Sequence, residues 1–256
     1  MRVLVTRPES EARQWVERLR DRGFDAQALP LIEIAPVTDA AGLQRAWQQL
    51  DRYRAVMFVS GSAVRHFFGR MPDGARWPAR TRAWSPGTGT RQALLAAGVD
   101  RELVDAPPPQ AAQFDSETLW EQVAGQVAAG QQVLIVRGAD AQGASSGRDW
   151  LADQLVASGA QVEVLAAYRR QPPQWTETQL AQARQWGSAP GCVWLFSSSQ
   201  AIGHLQALLP EHDWAPSRAV ATHPRIAQAA RRAGFGVVCE SRPALDAVVA
   251  ALESFR

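Results

Sequence analysis

Short apolar runs alternate with helical patterns along the whole chain. Strands are predicted near 3–6, 27–34, 56–59, 82–84 and 102–105 in the first half, and near 133–136, 162–166, 192–196, 219–221 and 237–239 in the second. Helical patterns lie between them, for example at 89–97, 116–128, 199–208, 224–233 and 243–254. This alternation predicts parallel sheets with helices on both faces. Five strands per half favour a flavodoxin-like strand order, in which ligands bind at the carboxyl ends of the strands.

The pattern occurs twice. Val3–Arg7 resembles Val133–Arg137, and each run leads through a polar turn into an amphipathic helix that ends in glycine. In the same way, Met57–Ser62 resembles Leu195–Ser199. The copies lie about 130 residues apart, whereas solenoid repeats have periods of roughly 20–50 residues. We therefore interpret the chain as a duplicated domain.

Composition narrows the classes of function. The chain has 256 residues, 46% of them apolar, and a formal net charge of +2. That charge is too small to favour nucleic-acid binding. All 27 basic residues are arginine, so Schiff-base lysine chemistry and a P-loop lysine are excluded. Cys192 and Cys239 stand alone, which argues against a zinc or iron–sulfur site.

The sequence predicts a cytoplasmic protein without membrane association. Its first residues, MRVLVTRPES, lack the apolar core of a signal peptide. No run of about 18 apolar residues is present to span a membrane.

Small hydroxyl residues follow several predicted strands and open helices. Ser60-Gly61-Ser62 and Ser197-Ser198-Ser199 hold equivalent positions in the two halves, and Ser85–Thr90 forms a third turn of this kind. Such residues either cap the free N–H groups of a helix or leave them open to an anion. The sequence leaves both interpretations open.

Other polar residues lie at the predicted ligand edge. Arg7 and Arg137 each end the first strand of a half, where they either meet a ligand or hold a loop through a salt bridge. His223 either contacts a carboxylate or is an exposed loop histidine. Tyr168 ends a strand, where a packed ring is the commoner outcome. We find no catalytic triad, carboxylate dyad or metal cluster.

A series of motifs runs through nearly the whole chain in a fixed order. They are Val3–Pro8, Leu29–Ile34, Phe58–Val64, Gly87–Thr90, Val133–Gly138, Gly147–Leu151, Ser158–Ala160, Tyr168–Arg170, Phe196–Ser199, Thr222–Pro224 and Ala233–Phe235. In this order and spacing they resemble the uroporphyrinogen-III synthase family.

The resemblance implies an α/β fold of two flavodoxin-like, doubly wound parallel-sheet domains joined by a two-stranded linker. One domain would combine residues 1–36 with 172–256, and the other would hold residues 37–171. The periodicity alone fits a tandem division into 1–130 and 131–256 equally well.

The reaction implied is the cyclisation of hydroxymethylbilane, a linear tetrapyrrole, to uroporphyrinogen III. Water is lost and ring D is inverted, which makes the enzyme a lyase (a hydro-lyase) of porphyrin and heme biosynthesis. The resemblance implies no cofactor and no metal, a monomer, and a transient contact with hydroxymethylbilane synthase. The alternative is a non-catalytic two-domain binder of a small anionic, tetrapyrrole-like ligand.

The resemblance also assigns roles to residues. Tyr168 would be catalytic and would assist the departure of hydroxide, with its hydroxyl facing the ligand in a cleft. The expected substrate-binding residues are Arg7, Ser60, Gly61, Ser62, Thr88, Thr90, Arg137, Gly138, Arg148, Ser197, Ser198, Ser199 and His223.

Overall fold

The chain folds into two compact units, each of which contains a parallel sheet. The computed structural model describes residues 1–38, 40–108, 110–111, 113–140, 150–187 and 189–255. Unit 1 combines Met1–Glu33 with Gln171–Arg256, and unit 2 is Ile34–Arg170. The boundaries predicted from the sequence are 36/37 and 171/172. The tandem division at 130/131 is not the one that the structure has.

Unit 1 contains a five-stranded sheet. Its elements are β1 (Arg2–Val5), α1 (Glu9–Arg20), β2 (Asp25–Ala28), α7 (Glu177–Gly187), β9 (Cys192–Phe196), α8 (Ser199–Leu208), β10 (Arg218–Ala221), α9 (Pro224–Arg232), β11 (Val237–Glu240) and α10 (Leu245–Glu253). The strand order is β11-β10-β9-β1-β2, and all neighbours are parallel. Numbered as the chain enters them, the strands lie in the order 2-1-3-4-5, which is the flavodoxin-like order.

Unit 2 contains a six-stranded sheet. Its elements are β3 (Glu33–Pro36), α2 (Ala41–Gln48), β4 (Tyr53–Phe58), α3 (Gly61–Phe68), β5 (Arg82–Trp84), α4 (Thr88–Ala96), β6 (Val104–Asp105), α5 (Ser116–Val123), β7 (Gln132–Ala139), α6 (Trp150–Ala157) and β8 (Gln161–Gln171). The strand order is β3-β8-β7-β4-β5-β6. The five strands from β8 to β6 repeat the spatial order of unit 1, and β3 lies beside β8 at the edge.

The internal repeat follows from this arrangement. The β1–α1–β2 segment of unit 1 corresponds to β7–α6–β8 of unit 2, because each supplies the first two strands of the flavodoxin-like order. The remaining strands, β9 to β11 and β4 to β6, correspond in the same way. The two halves of the sequence therefore resemble each other although neither half is a folding unit.

The central strands are buried on both faces, which explains why their sequences are continuous apolar runs. In β7, Val133 and Ile135 pack into one hydrophobic cluster, whereas Leu134 and Val136 pack into another on the opposite face. Successive side chains of a strand point to opposite faces, so helices must cover the sheet on both sides. The prediction of parallel sheets with helices on both faces is confirmed.

Two predicted strands differ from those observed. The single strand predicted at 27–34 is two strands, β2 and β3, which belong to different sheets. Pro30 lies between them and offers no N–H for a sheet hydrogen bond. The strand predicted at 102–105 is shortened to Val104–Asp105, because a 3-10 turn occupies Arg101–Leu103. Within the described ranges, no helix is long and apolar enough to cross a membrane.

We predict that Gly236→Ala destabilises unit 1 strongly, because an added Cβ would overlap the backbone carbonyl of Ala215. The expected loss in the free energy of unfolding is about 3 kcal/mol, the cost of overpacking a site that cannot relax easily. Gly203→Ala is the control, since a Cβ there meets nothing within 4 Å and alanine is the better helix former by about 1 kcal/mol. Urea unfolding of both variants tests this; equal midpoints would contradict it.

Candidate functional site

Three side chains meet at the carboxyl edge of the sheet in unit 2. The Tyr168 hydroxyl lies 3.0 Å from Ser60 Oγ. Arg170 Nη2 donates a hydrogen bond of 3.0 Å to the same hydroxyl, and the Arg170 guanidinium carbon lies 5.6 Å from the centre of the Tyr168 ring. The phenol oxygen is thus held between a cation and a serine hydroxyl.

Tyr168 does not present its hydroxyl to solvent. The residue is only 1% exposed, and that its hydroxyl faces a ligand stays a prediction. Gly138 explains the burial: a Cβ on Gly138 would lie 2.7 Å from Tyr168 Cε2 and Cζ. The ring therefore packs directly against the backbone of β7. Gly138 makes room for the tyrosine, and its role in substrate binding stays a prediction.

His66 also contacts Tyr168. Its ring stacks on the Tyr168 ring, with centroids 5.6 Å apart and planes inclined by 28°. Burial lowers the pKa of His66 below 6.5, and the nearby charges of Arg65 and Arg70 lower it further. His66 also lines a pocket of about 210 Å³ together with both arginines. This shift of the pKa favours the neutral imidazole.

Sequence reasoning placed neither Arg170 nor His66 among the candidate site residues. A signal for Arg170 was present, because residues two apart in a strand lie on the same face of the sheet. Tyr168 and Arg170 both belong to β8. No comparable pattern places His66 beside Tyr168, since the two residues belong to different elements far apart in the sequence.

The turn after β4 is a helix cap. Ser60 accepts a hydrogen bond of 3.2 Å from the Ala63 N–H and occupies the N-cap of α3. Ser62 is 3% exposed and accepts a hydrogen bond from Arg65 Nη2. Gly61 is the first residue of the helix. The capping interpretation therefore holds for Ser60, which in addition contacts Tyr168.

The remaining residues predicted in unit 2 lie around the same edge. Thr88 is exposed in the first turn of α4, whereas Thr90 is buried. Arg137 is 6% exposed near the end of β7, where the pairing with β8 shifts register. Arg148 lies outside the described residues.

In unit 1, the carboxyl edge holds two buried polar atoms without a hydrogen-bond partner among the described residues, Arg7 Nε and Ser197 Oγ. Arg7 Nη1 lies 3.3 Å from Glu11 Oε2, and its guanidinium carbon lies 4.7 Å from the Trp15 ring centre. Burial lowers the pKa of Arg7, and the Glu11 carboxylate opposes that shift. Since Val5 pairs with Leu195, Arg7 and Ser197 follow neighbouring strands at equivalent positions.

The other residues predicted in unit 1 lie at helix starts on this edge. Ser198 caps α8 by accepting from the Gln200 N–H, and Ser199 is the exposed first residue of that helix. The His223 ring caps α9, its Nδ1 accepting from the Arg225 N–H at 3.1 Å. Capping is therefore at least one role of Ser198 and His223.

The described part of the chain contains no cluster of metal-binding side chains. No set of three His, Cys, Asp or Glu side chains there is arranged to hold a metal ion. Cys192 is a buried free thiol, and burial raises its pKa to about 11. A thiol in that state is a poor nucleophile.

Comparison with known proteins places the chain among tetrapyrrole-forming proteins. The family described as uroporphyrinogen-III synthase HemD matches residues 13–250. A uroporphyrinogen-III synthase of Salmonella typhimurium is 27% identical over 247 residues, covering 92% of each chain. The Escherichia coli protein of that name is 28% identical over 240 residues, again with 92% of each chain covered.

Solved structures agree on the fold. The uroporphyrinogen-III synthetase of Helicobacter pylori aligns over 100% of both chains, with a TM-score of 0.58 and 16% identity. A mutant uroporphyrinogen III synthase of Thermus thermophilus aligns over 100% of this chain and 98% of its own, with a TM-score of 0.56 and 15% identity.

We predict that His66 titrates below 6.5 in the folded protein. Because its pKa in the unfolded chain is higher, the unfolded chain binds more protons as the pH falls from about 6.5 to the folded-state value. The free energy of unfolding should therefore decrease with acidification through that window. His66→Gln should make this dependence shallower. NMR titration of the imidazole C–H signals measures the pKa, and a midpoint at or above 6.5 would contradict the prediction.

Proposed function

The chain belongs to the uroporphyrinogen-III synthase family, and we propose that it converts hydroxymethylbilane to uroporphyrinogen III. The observation that carries the proposal is the family match, which spans residues 13–250. Relatives that bear this name cover 92% of the chain. The protein is therefore an enzyme of tetrapyrrole biosynthesis.

The proposed reaction is a lyase reaction without a cofactor. A pyrrole nitrogen of the substrate expels the terminal hydroxyl as water and leaves an azafulvene cation. A carbon of the electron-rich ring D attacks that cation, a spirocyclic intermediate forms, and the macrocycle closes with ring D inverted. The substrate can also close without inversion, so the enzyme must hold it in the geometry in which the inverting attack is faster. Such positioning contributes several kcal/mol to catalysis in well-oriented reactions, up to roughly 7–11.

Tyr168 is proposed to assist the departure of the hydroxyl group. Its phenol is a weak acid in a fixed orientation, because Ser60 and Arg170 both contact its oxygen. The positive charge of Arg170 would stabilise negative charge on the phenol oxygen as the proton leaves. Preorganised charge of this kind costs no reorganisation during the reaction.

Arg7 and Ser197 are proposed to bind a substrate carboxylate. Both carry a buried polar atom without a partner among the described residues. Leaving a buried donor unpaired costs about 1–3 kcal/mol, and an arriving carboxylate oxygen would remove that cost. The helix that starts at Ser199 adds the partial positive charge of its N-terminus at the same edge.

We also propose that the protein acts as a monomer and takes its substrate from hydroxymethylbilane synthase during a transient contact. The substrate closes spontaneously, so a short path between the two enzymes limits loss to the product without inversion.

The proposed activity predicts that the protein diverts the product of porphobilinogen deaminase to the type III isomer. Porphobilinogen and the deaminase are supplied with the protein in chelator-treated buffer without nucleotide, and the oxidised isomers are separated. We expect type III product. Type I product alone would support a non-catalytic binder of an anionic tetrapyrrole. Activity lost with EDTA and restored by a divalent ion would contradict the cofactor-independent reaction.

Tyr168→Phe should lower turnover by roughly 10- to 1,000-fold, which spans the lower part of the range for general acids and the margin below it, with type III still the product. Its buried hydroxyl contacts Ser60 and Arg170, so the free energy of unfolding should also fall by about 1–2 kcal/mol.

The chain's second tyrosine provides the matched control. Tyr53 is 4% exposed, and its hydroxyl donates to Glu163 over 2.5 Å at the start of β4, the opposite edge of the sheet. Tyr53→Phe should reduce stability and leave turnover unchanged. Equal turnover of the Tyr168→Phe variant and the unsubstituted protein would remove Tyr168 from the mechanism.

A further inference from the structure

Tyr168 is buried, so its proton needs a path to a substrate at the edge of the sheet. The residue is 1% exposed, so its hydroxyl does not lie on an open surface of unit 2. Ser60, which contacts that hydroxyl at 3.0 Å, is partly exposed at the carboxyl end of β4. The serine therefore lies between the buried phenol and the accessible edge of the sheet.

The hydrogen bonds around the two hydroxyls have a defined direction. Arg170 has only donors, so its contact with Tyr168 Oη is a bond that the tyrosine accepts. The buried phenol must donate its own proton to an acceptor, and among the described residues Ser60 Oγ is the acceptor in contact with it. The proton of Tyr168 therefore points to Ser60.

Ser60 in turn has a proton to give. Its oxygen accepts one hydrogen bond from the Ala63 N–H and a second from the Tyr168 hydroxyl. A hydroxyl carries two acceptor positions and one donor, so both acceptor positions are filled. Within the described part of the chain, no acceptor contacts the Ser60 proton, and the residue is partly exposed. That proton is free to reach a ligand at the edge.

We propose that Ser60 is a catalytic residue that passes the proton of Tyr168 to the leaving oxygen of the substrate, with Arg170 as the positioning residue behind the phenol. This inference rests on the proposed function. It assigns the direct contact with the leaving oxygen to the serine and places the tyrosine one step behind it.

The proton transfer balances over the cycle. As the terminal C–O bond breaks, the oxygen takes the Ser60 proton and departs as water, and the pyrrole nitrogen supplies the electron pair to the carbon that loses it. Ser60 takes the Tyr168 proton at the same time, and the negative charge on the phenol oxygen lies beside the Arg170 guanidinium. The proton returns along the same path when the pyrrole carbon that closes the ring loses its hydrogen.

The test uses substitutions that keep the helix cap. Asn and Ser cap helices about equally well, so Ser60→Asn should fold, but its amide does not pass on a proton as a hydroxyl does. We expect Ser60→Asn to lower turnover about as much as Tyr168→Phe, roughly 10- to 1,000-fold. Ser60→Thr keeps both the cap and the hydroxyl and should restore most of the activity. Asp115→Asn, at the N-cap of α5, is the matched control and should keep full turnover.

A double substitution separates the relay from direct action by the tyrosine. Residues that act as a unit give non-additive losses, so Ser60→Asn combined with Tyr168→Phe should be no slower than the slower single variant.

The dependence of turnover on the deuterium fraction of the solvent should curve in the unsubstituted protein, because two protons move together. It should be linear in the Tyr168→Phe variant.

The outcomes distinguish the relay from the proposed function. If the unsubstituted protein forms no type III isomer, the proposed function fails. If it forms type III and Ser60→Asn retains full turnover, or if the two losses multiply, the relay alone is overturned. Circular dichroism and urea unfolding of each variant establish that the loss of activity is not a loss of fold.

Discussion

The parallel direction of the strands is the constraint on which both candidate sites depend. In each unit, the five strands in the flavodoxin-like order are parallel and therefore end at the same edge. Helices such as α3 and α8 begin there. Polar turns that are scattered along the sequence are thereby collected at one place. The apolar strands occupy the interior, so the edge is where hydroxyls, guanidinium groups and free helix N–H groups meet.

Within unit 2, the position of the tyrosine depends on the absence of a side chain at Gly138. A Cβ there would collide with the ring, so the glycine decides how deeply Tyr168 lies and therefore which groups its hydroxyl reaches. His66 covers the ring from α3. The hydroxyl is fixed by packing first, and the hydrogen bonds with Ser60 and Arg170 follow from that position.

The sequence predicted the architecture well because the core strands are continuous apolar runs such as Val133–Val136. It merged β2 with β3, because apolar residues continue through the turn at Pro30, and no periodicity shows that the chain there passes to a different sheet. The candidate residues were harder to predict. Ser60 and Ser198 were recognised as residues that open helices, whereas the cap that His223 forms on α9 was not predicted. The contact between Ser60 and Tyr168 joins positions 108 residues apart. Such contacts depend on tertiary structure that a single sequence does not encode locally.

The proposed reaction needs little acid assistance to break the C–O bond, but it needs a strictly defined substrate geometry. A buried, fixed tyrosine meets both requirements. The pyrrole nitrogen itself expels the hydroxyl, so a phenol, although a weak acid, is sufficient as the source of the proton. The Tyr168 ring packs against the backbone at Gly138 and against the His66 ring, and its oxygen is hydrogen-bonded, so the phenol is held in one orientation. A serine at a helix N-cap is likewise fixed, because Ala63 bonds to its oxygen. Fixed donors define where the leaving oxygen must lie, and the position of that oxygen determines where the cation forms. If the proposed relay operates, the groups that assist cleavage also fix the point at which ring D attacks.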